Sequence, residues 1–558
     1  MAGGLLNLIS ATENSGFLIG NPQKTFFKCS YAKHTNFGLQ KFRIDYDGIR
    51  DLRLNEESKF SFKIPRYAEL LMDTYVVVTL PDIWSPIYHP CSDTNFSWSP
   101  YEFKWINDIG ANIVKEVEII CGAQTLAKYS GEYIRTLVNR DMTAEKKAVF
   151  DRMSGNVPQL NNPASISSRS NAYPSAYYTS STVGAEPSIR GRNIYVPINA
   201  WFMLNSKMAF PLVAIQYNEL VINVTLRPIQ QLFCIRDVFD HENHFPYIAP
   251  DFNYQQYQLY RFLQTPPAEA ITPDKYDNKI TSWNADIHLL ATYCFLTDDE
   301  ARLFAQESQR YLIKDVYEYR FENVVGTKRL KVGSNGMVSN WTWFLQRNDV
   351  NLRNEWSNYS NWPYTTIPFD IQPAPVKGTM SSFVYFDPQT GFPETVGPML
   401  DLSGNSTNIF ITGDFNAGNE EDIMQTMGIL LDGQYREDTM ESGIYKYIDK
   451  YARCAGNAPD GIYFYNFGLN TSTQDIQPTG AINMSRFRTI ELEITTMVPL
   501  FDATASSFNV ACDSAGNFLG VNKQNWRLYE YTYNLTLFEE RFNILSIVGG
   551  NAGLMWAR

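Results

Sequence analysis

A chain of 558 residues that is 44% hydrophobic and only 19% charged is too long for one typical core and too apolar for a disordered polymer. Its formal charge of −12, with no concentrated basic stripe, excludes gripping a nucleic-acid backbone as its main work. The seven cysteines form no Cys-x-x-Cys pair, which argues against a disulfide-framed secreted fold and predicts folding in a reducing compartment.

Aromatic residues at 14%, with 33 Gly and 28 Pro, favour many short strands joined by turns over long helices. The opening MAGGLLNLISATENSGFLIGNPQ lacks the basic start and long apolar core of a signal peptide, and no run approaches 18 apolar residues. The chain is therefore expected to be soluble when made and not an integral membrane protein.

In chain order, residues 1–25 read as an arm, with Gly3, Gly4, Gly16 and Gly20 and a short apolar run at Leu5, Leu6, Leu8 and Ile9. Phe60, Phe62 and Ile64 alternate with polar residues, predicting a half-buried strand, and Tyr75 to Leu80 a more apolar one. Val117, Ile119 and Cys121 share one side of another strand, with a turn at Gly122-Ala123-Gln124 before a strand from Thr125 to Tyr129. A short helix is expected around 143–153, with Thr143 as its N-cap and Gly155 near its end. Residues 136–190 otherwise read as a long decorated loop. Strand character returns at Asn193 to Leu204 and at Leu212 to Leu226.

A second β region opens near Ala285. The run from Asp298 suits a short helix over a sheet edge, with acidic residues at its positive end. Further strands are predicted near 339–346, 380–386, 408–412, 461–468, 487–497 and 526–538, and another long loop over FPETVGPMLDLSGNSTN. Two successive all-β regions with long insertions predict two sandwiches in tandem.

Candidates for chemistry are few. The five histidines limit any His-based site, and Asp240-His241-Glu242-Asn243-His244 lacks the spacing of a zinc-enzyme helix. The stretch from Asp414 to Asp422 does not reproduce a calcium loop. Dinucleotide, phosphate-loop and nucleophile-elbow fingerprints are absent. No catalytic, cofactor-binding or metal residues are assigned, and the chain is read as no enzyme.

The blocks GNPQKTFFKCSYAKHTNF, WINDIG with VEIICGAQTLAKYSGEYI, FPLVAIQYNELVI, YCFLTDDEARLFAQESQRYLI, GLNTSTQDIQPTGAINMSRF and FNILSIVGGNAGLMW span nearly the whole chain. In them it resembles the major capsid proteins of the nucleocytoplasmic large DNA viruses, particularly those of algal and amoebal giant viruses. The resemblance implies an all-β fold, a tandem double jelly roll of two eight-stranded antiparallel sandwiches with long inter-strand loops. The expected organisation is an arm over 1–25, a first jelly roll over 26–234, an extended linker over 235–280, a second jelly roll over 281–540 and a C-terminal segment over 541–558.

It also implies a homotrimer forming a pseudo-hexagonal capsomer that tiles an icosahedral shell. Partners would be neighbouring capsomers, minor and inner capsid proteins and a penton protein at the vertices. Expected residence is the outer capsid shell of the virion, assembled in the host-cell cytoplasm. The alternatives are a transient double jelly-roll assembly scaffold or a carbohydrate-binding or carbohydrate-cleaving β-sandwich.

Structural roles follow for particular residues. Leu5, Leu6, Leu8 and Ile9 would anchor the arm on a neighbour or the inner shell, and Pro22 would fix its bend at the first sandwich. Phe26 and Phe27 suit core or subunit-contact anchors. Gly480 would permit a tight turn, and Arg486 would make a directed ion pair or bind exposed carbonyls. Asn340 and Asn358 are possible glycosylation sites, whereas Asn223 lies within a strand.

Overall fold

The computed structural model describes residues 16–88, 99–166, 169, 172–176, 184–238, 240, 245–267, 275–365, 383–386, 393–396, 420–499, 509–512, 518–522 and 530–556. The first sandwich is built from β1 (Phe37–Asp45), β2 (Ser58–Lys63), β3 (Leu70–Leu80), β4 (Val114–Cys121) and β5 (Gln124–Ser130). After them come helices α1 (Gly131–Asp141) and α2 (Ala144–Ser154), then β6 (Arg192–Pro197), β7 (Leu220–Leu226) and β8 (His288–Leu296). Helix α3 (Asp298–Gln306) leads to the second sandwich: β9 (Gln309–Phe321), β10 (Thr327–Lys331), β11 (Met337–Arg347), β12 (Met424–Leu431), β13 (Gln434–Glu441), β14 (Ile462–Asn466), β15 (Ile490–Thr496), β16 (Tyr533–Val548) and β17 (Asn551–Leu554).

Neighbours in the first sandwich run β1-β8-β3-β6 in one sheet and β2-β7-β4-β5 in the other. The second repeats the plan, with β9-β16-β11-β14 facing β10-β15-β12-β13. This is jelly-roll order written twice, each time with the first strand of the sandwich paired to a strand near its end. The local cause is visible in β2, where Phe60 and Phe62 are buried while Lys59, Ser61 and Lys63 are exposed. Val117, Ile119 and Cys121 of β4 likewise enter the core.

The α2 helix lies where the sequence predicts it. Thr143 Oγ1 accepts from the Lys146 N–H, and Gly155 closes the helix at φ 83°. The acidic first turn of α3 is also present, with Asp298, Asp299 and Glu300.

Several expectations are corrected. The segment 235–280 is no linker: Phe252, Tyr257, Leu259 and Phe262 are buried in the first core. The second domain does not begin at 281, because β8 pairs with both β1 and β3. A boundary at 540/541 would cut through β16, whose hydrogen-bonded register with β9 is unbroken from Leu535 to Ile547. The supposed loop from 136 starts instead inside α1, every residue of which is buried. Gly131 is required there, since a Cβ would collide with the Ala111 and Val114 carbonyl oxygens. The expected strand near 408–412 lies outside the described residues, while part of the expected 392–408 loop is a strand, Pro393–Val396, paired with Phe383–Phe386.

β16 explains how the sandwiches join. Leu535 and Leu537 point into the second core with Trp341 and Trp343. Phe538, Leu545 and Ile547 of the same strand join the first core, together with Ile313, Val316 and Phe344. A sheet apolar on both faces cannot leave its outer face in water, so the second sandwich uses it to cover the first. The chain then turns at Gly549 and Gly550, with φ 58° and 83°, as a two-residue hairpin requires. The Tyr217 N–H donates to the Gly550 carbonyl at 3.3 Å, tying this hairpin to the first sandwich.

Because the first core extends into the second sandwich through Phe344, Phe538 and Ile547, the two are expected to unfold together. Phe538→Ala should destabilise by about 3–5 kcal/mol and lower a single calorimetric transition. Two separately shifted transitions would contradict a shared core.

Candidate assembly surfaces and the seam between the sandwiches

At the centre of the seam lies a buried set of charges. Arg140, at the end of α1, makes two 2.8 Å hydrogen bonds to the Asp141 carboxylate and a third, of 2.6 Å, to Glu540 Oε1. Its Nη1 donates to Asn340 Oδ1 at 2.9 Å. Glu540, fully buried on β16, also accepts from the Tyr133 hydroxyl at 2.9 Å and the Asn340 amide at 2.7 Å. Lys314 Nζ stands 3.6 Å away. Asp141 is completed from the second sandwich by the Thr471 hydroxyl at 2.7 Å and that of Thr473 at 3.2 Å.

Burial alone would push the Glu540 carboxyl up. The Arg140 and Lys314 charges, with hydrogen bonds from Asn340 and Arg140, win and hold it below the ordinary range. A second bridge repeats the logic: Glu132 of α1 accepts from Arg227 at 3.0 Å and from Arg320 of β9 at 3.2 Å.

The polypeptide linking β11 and β12 adds neutral contacts. Asn354 Nδ2 donates to the carbonyls of Gln230 and Phe233, and Trp356 Nε1 to that of Gln231. Beside them, Asp349 lies between Arg347 and Arg353. Its burial opposes ionisation, but the two guanidinium groups lower its carboxyl to about 2.

A seam cavity of about 60 Å³ is lined by Tyr133, Asn199, Trp201, Lys314, Thr473 and Phe542, among others. It has room for a few water molecules and is well below the several hundred Å³ of a typical substrate pocket. Among the described residues, no cluster of three or more His, Cys, Asp or Glu side chains could hold a metal. His241 and His244, and most of 414–422, lie outside those residues.

Large apolar side chains are also exposed on the outside of the molecule. Phe26 and Phe27 are 88% and 98% exposed, so they are not core anchors; only the subunit-contact role remains open to them. Pro22 lies in the same exposed stretch. Leu5, Leu6, Leu8 and Ile9 fall outside the described residues. Gly480 has φ 141° and packs so closely on Gly468 that a Cβ would stand 3.0 Å from its Cα, which accounts for glycine there. Arg486 is exposed on the 3-10 turn Met484–Arg486.

Asn340 and Asn358 are corrected as glycan sites. Both are 1% exposed, and their amide nitrogens donate to Glu540 and to the Trp362 carbonyl. The seam residues themselves escaped the sequence reading. Their one signal was charge inside apolar runs: Arg140-Asp141 after YIRTLV, and Glu539-Glu540-Arg541 within LTLFEERFNIL.

The chain matches two family models: "Major capsid protein N-terminus" over residues 25–265 and "Large eukaryotic DNA virus major capsid protein" over residues 300–553. It is similar to the major capsid protein of Phaeocystis pouchetii virus, with 24% identity over 100% of each chain. Its fold is similar to the PBCV-1 virus capsid protein, with TM-score 0.57, 18% identity and coverage of 96% of this chain and 100% of that one. For the Faustovirus major capsid protein the TM-score is 0.58 at 14% identity, over 98% of each chain.

Glu540→Gln should cost about 3–5 kcal/mol in denaturant unfolding, because buried cations lose their counter-charge. Since the folded carboxyl is held below its unfolded value near 4.3, its contribution is complete above that pH and lost as pH falls below it. The wild-type loss of stability on acidification should therefore be shallower in the variant. Peptide mass mapping of virion protein should find Asn340 and Asn358 unmodified.

Proposed function

We propose that this chain, which belongs to the large eukaryotic DNA virus major capsid protein family, does its work as a homotrimer whose six sandwiches present a pseudo-hexagonal tile. Its role is that of a major capsid protein of a large DNA virus, and it is a component of the virion capsid. The trimer is the further step. What carries it is the repeated strand order: two sandwiches of one plan, fixed to each other by a buried seam, give a rigid two-lobed unit. Three such units around an axis close into six near-equivalent lobes.

On this reading no catalytic step is assigned, and the chain acts by shape and contact alone. The small seam cavity and the use of buried charges as crosslinks between sandwiches are in keeping with that. Tiles would meet neighbouring capsomers edge to edge, inner and minor capsid proteins beneath, and a penton protein at the vertices. Assembly would take place in the host-cell cytoplasm. Contacts within the trimer should be large and apolar, and those between tiles smaller and more polar.

Native mass spectrometry of the purified protein should give three times the 63.9 kDa chain mass. A strictly monomeric species across micromolar concentrations would contradict the trimer.

A further inference from the structure

Residues 20–36 form an arm ahead of β1, and every residue from 19 to 41 is exposed. Described hydrogen bonds of the arm are local, such as the Phe27 N–H to Thr25 Oγ1. Its composition is one-sided. Between Glu13 and Asp45 there is no carboxylate, while Lys24, Lys28, Lys33 and the exposed rings of Phe26, Phe27 and Tyr31 recur along it. An exposed segment so rich in aromatic and cationic groups lacks the surface that would cover it.

The second sandwich carries a surface of opposite character. Among the described residues, strand β13 is the edge of its sheet, pairs on one side with β12, and is exposed along most of its length. It bears Tyr435 with Glu437, Asp438 and Glu441. It packs against a π-helical turn, Ile444–Ile448, that runs straight into the α-helix Asp449–Arg453. The turn exposes Tyr447 and Ile448, and the helix exposes Tyr451, at 94%.

The basic groups of this region are turned to other work. Lys446 is held by Asp422 and Asp460, Lys450 donates to the Ala458 carbonyl, Arg453 to that of Leu469, and Arg436 lies over the Phe467 ring. Burial raises the Asp449 carboxyl to about 6, against the lowering effect of Arg453, so a further cation beside it would be favourable.

We propose that the arm of one copy lies along the free edge of β13 and the adjoining aromatic helix of a second copy of this chain. The exposure of both surfaces shows that a chain does not cover its own dock. An extended arm spans about 3.4 Å per residue and so tens of ångströms. With the arm on the first sandwich and the dock on the second, the contact is head-to-tail, the kind that closes a ring. The inference rests on the trimer reading above and names which surfaces meet within it. Lysine and carboxylate supply register, and the rings supply apolar area and cation–π contact.

The test uses Cys29, which is exposed in the arm. Tyr451→Cys is introduced with Cys454→Ser, and the full-length protein is oxidised with diamide. Native mass spectrometry is recorded in parallel. The expected result is a covalent species of two and three chain masses on a non-reducing denaturing gel. It should disappear with Cys29→Ser, and peptide mapping should place the linkage between positions 29 and 451.

A native trimer with no such interchain bond, or a bond within one chain, overturns the arm assignment and leaves the trimer standing. A native monomer overturns both. As a second measurement, Lys24→Glu with Lys28→Glu and Lys33→Glu should raise the concentration at which the trimer dissociates roughly tenfold. Adding Asp438→Lys and Glu441→Lys should recover much of that loss. An unchanged midpoint in the triple variant also counts against the dock.

Discussion

The pairing of Arg140 with Asp141 and Glu540 fixes the geometry on which the rest of the molecule depends. Removing such ions from water costs several kcal/mol each, and only close, complete pairing offsets that. The groups that complete it come from α1, β11, β16, β9 and the 471–473 loop, which means from both sandwiches. A shift of either sandwich by even one strand residue would leave a buried charge without its partner. Apolar burial along β16 supplies adhesion but little direction; the ionic cluster supplies direction. Together they make two repeated domains behave as one solid body.

Much of the strand content was legible because water imposes a period of two on any strand with one wet face. β2 and β4 announce themselves this way, and Thr143 with Gly155 brackets α2 by capping chemistry alone. The misses have a common cause. α1 carries a polar stripe at helical spacing, Glu132, Arg135, Thr136, Asn139 and Arg140, but that stripe is buried in the seam instead of facing water. Strands β9 and β16 carry charged residues at positions that face the other sandwich, which breaks the alternation a reader expects. Domain limits were misplaced for a topological reason: β8 completes the first sandwich after the stretch 235–280, which reads in sequence as a connection.

The candidate surfaces were partly legible too. Phe26 and Phe27 stand out in the sequence, but only the fold separates a core aromatic from one left in water. Asn340 shows the opposite failure: a sequon describes three residues, whereas its side chain is committed to Glu540, two hundred positions away. The dock on β13 had no sequence signal beyond a mixed acidic and aromatic composition. Its meaning comes from lying on a sheet edge beside an exposed helix.

The register of β1 with β8, and of β9 with β16, sets a timetable for synthesis. Phe37 finds Leu296 only after the ribosome has made everything between them, and Gln309 waits for Ile547 in the same way. Neither sandwich can close while its early half emerges, so half-made sheets with open edges must be kept apart in a crowded translating cell. Tyr133 and Arg140 wait longer still, since their partner Glu540 is four hundred residues or more downstream. Locking of the two lobes is thus a late step in synthesis, and a product that stops before Glu540 would lack that lock.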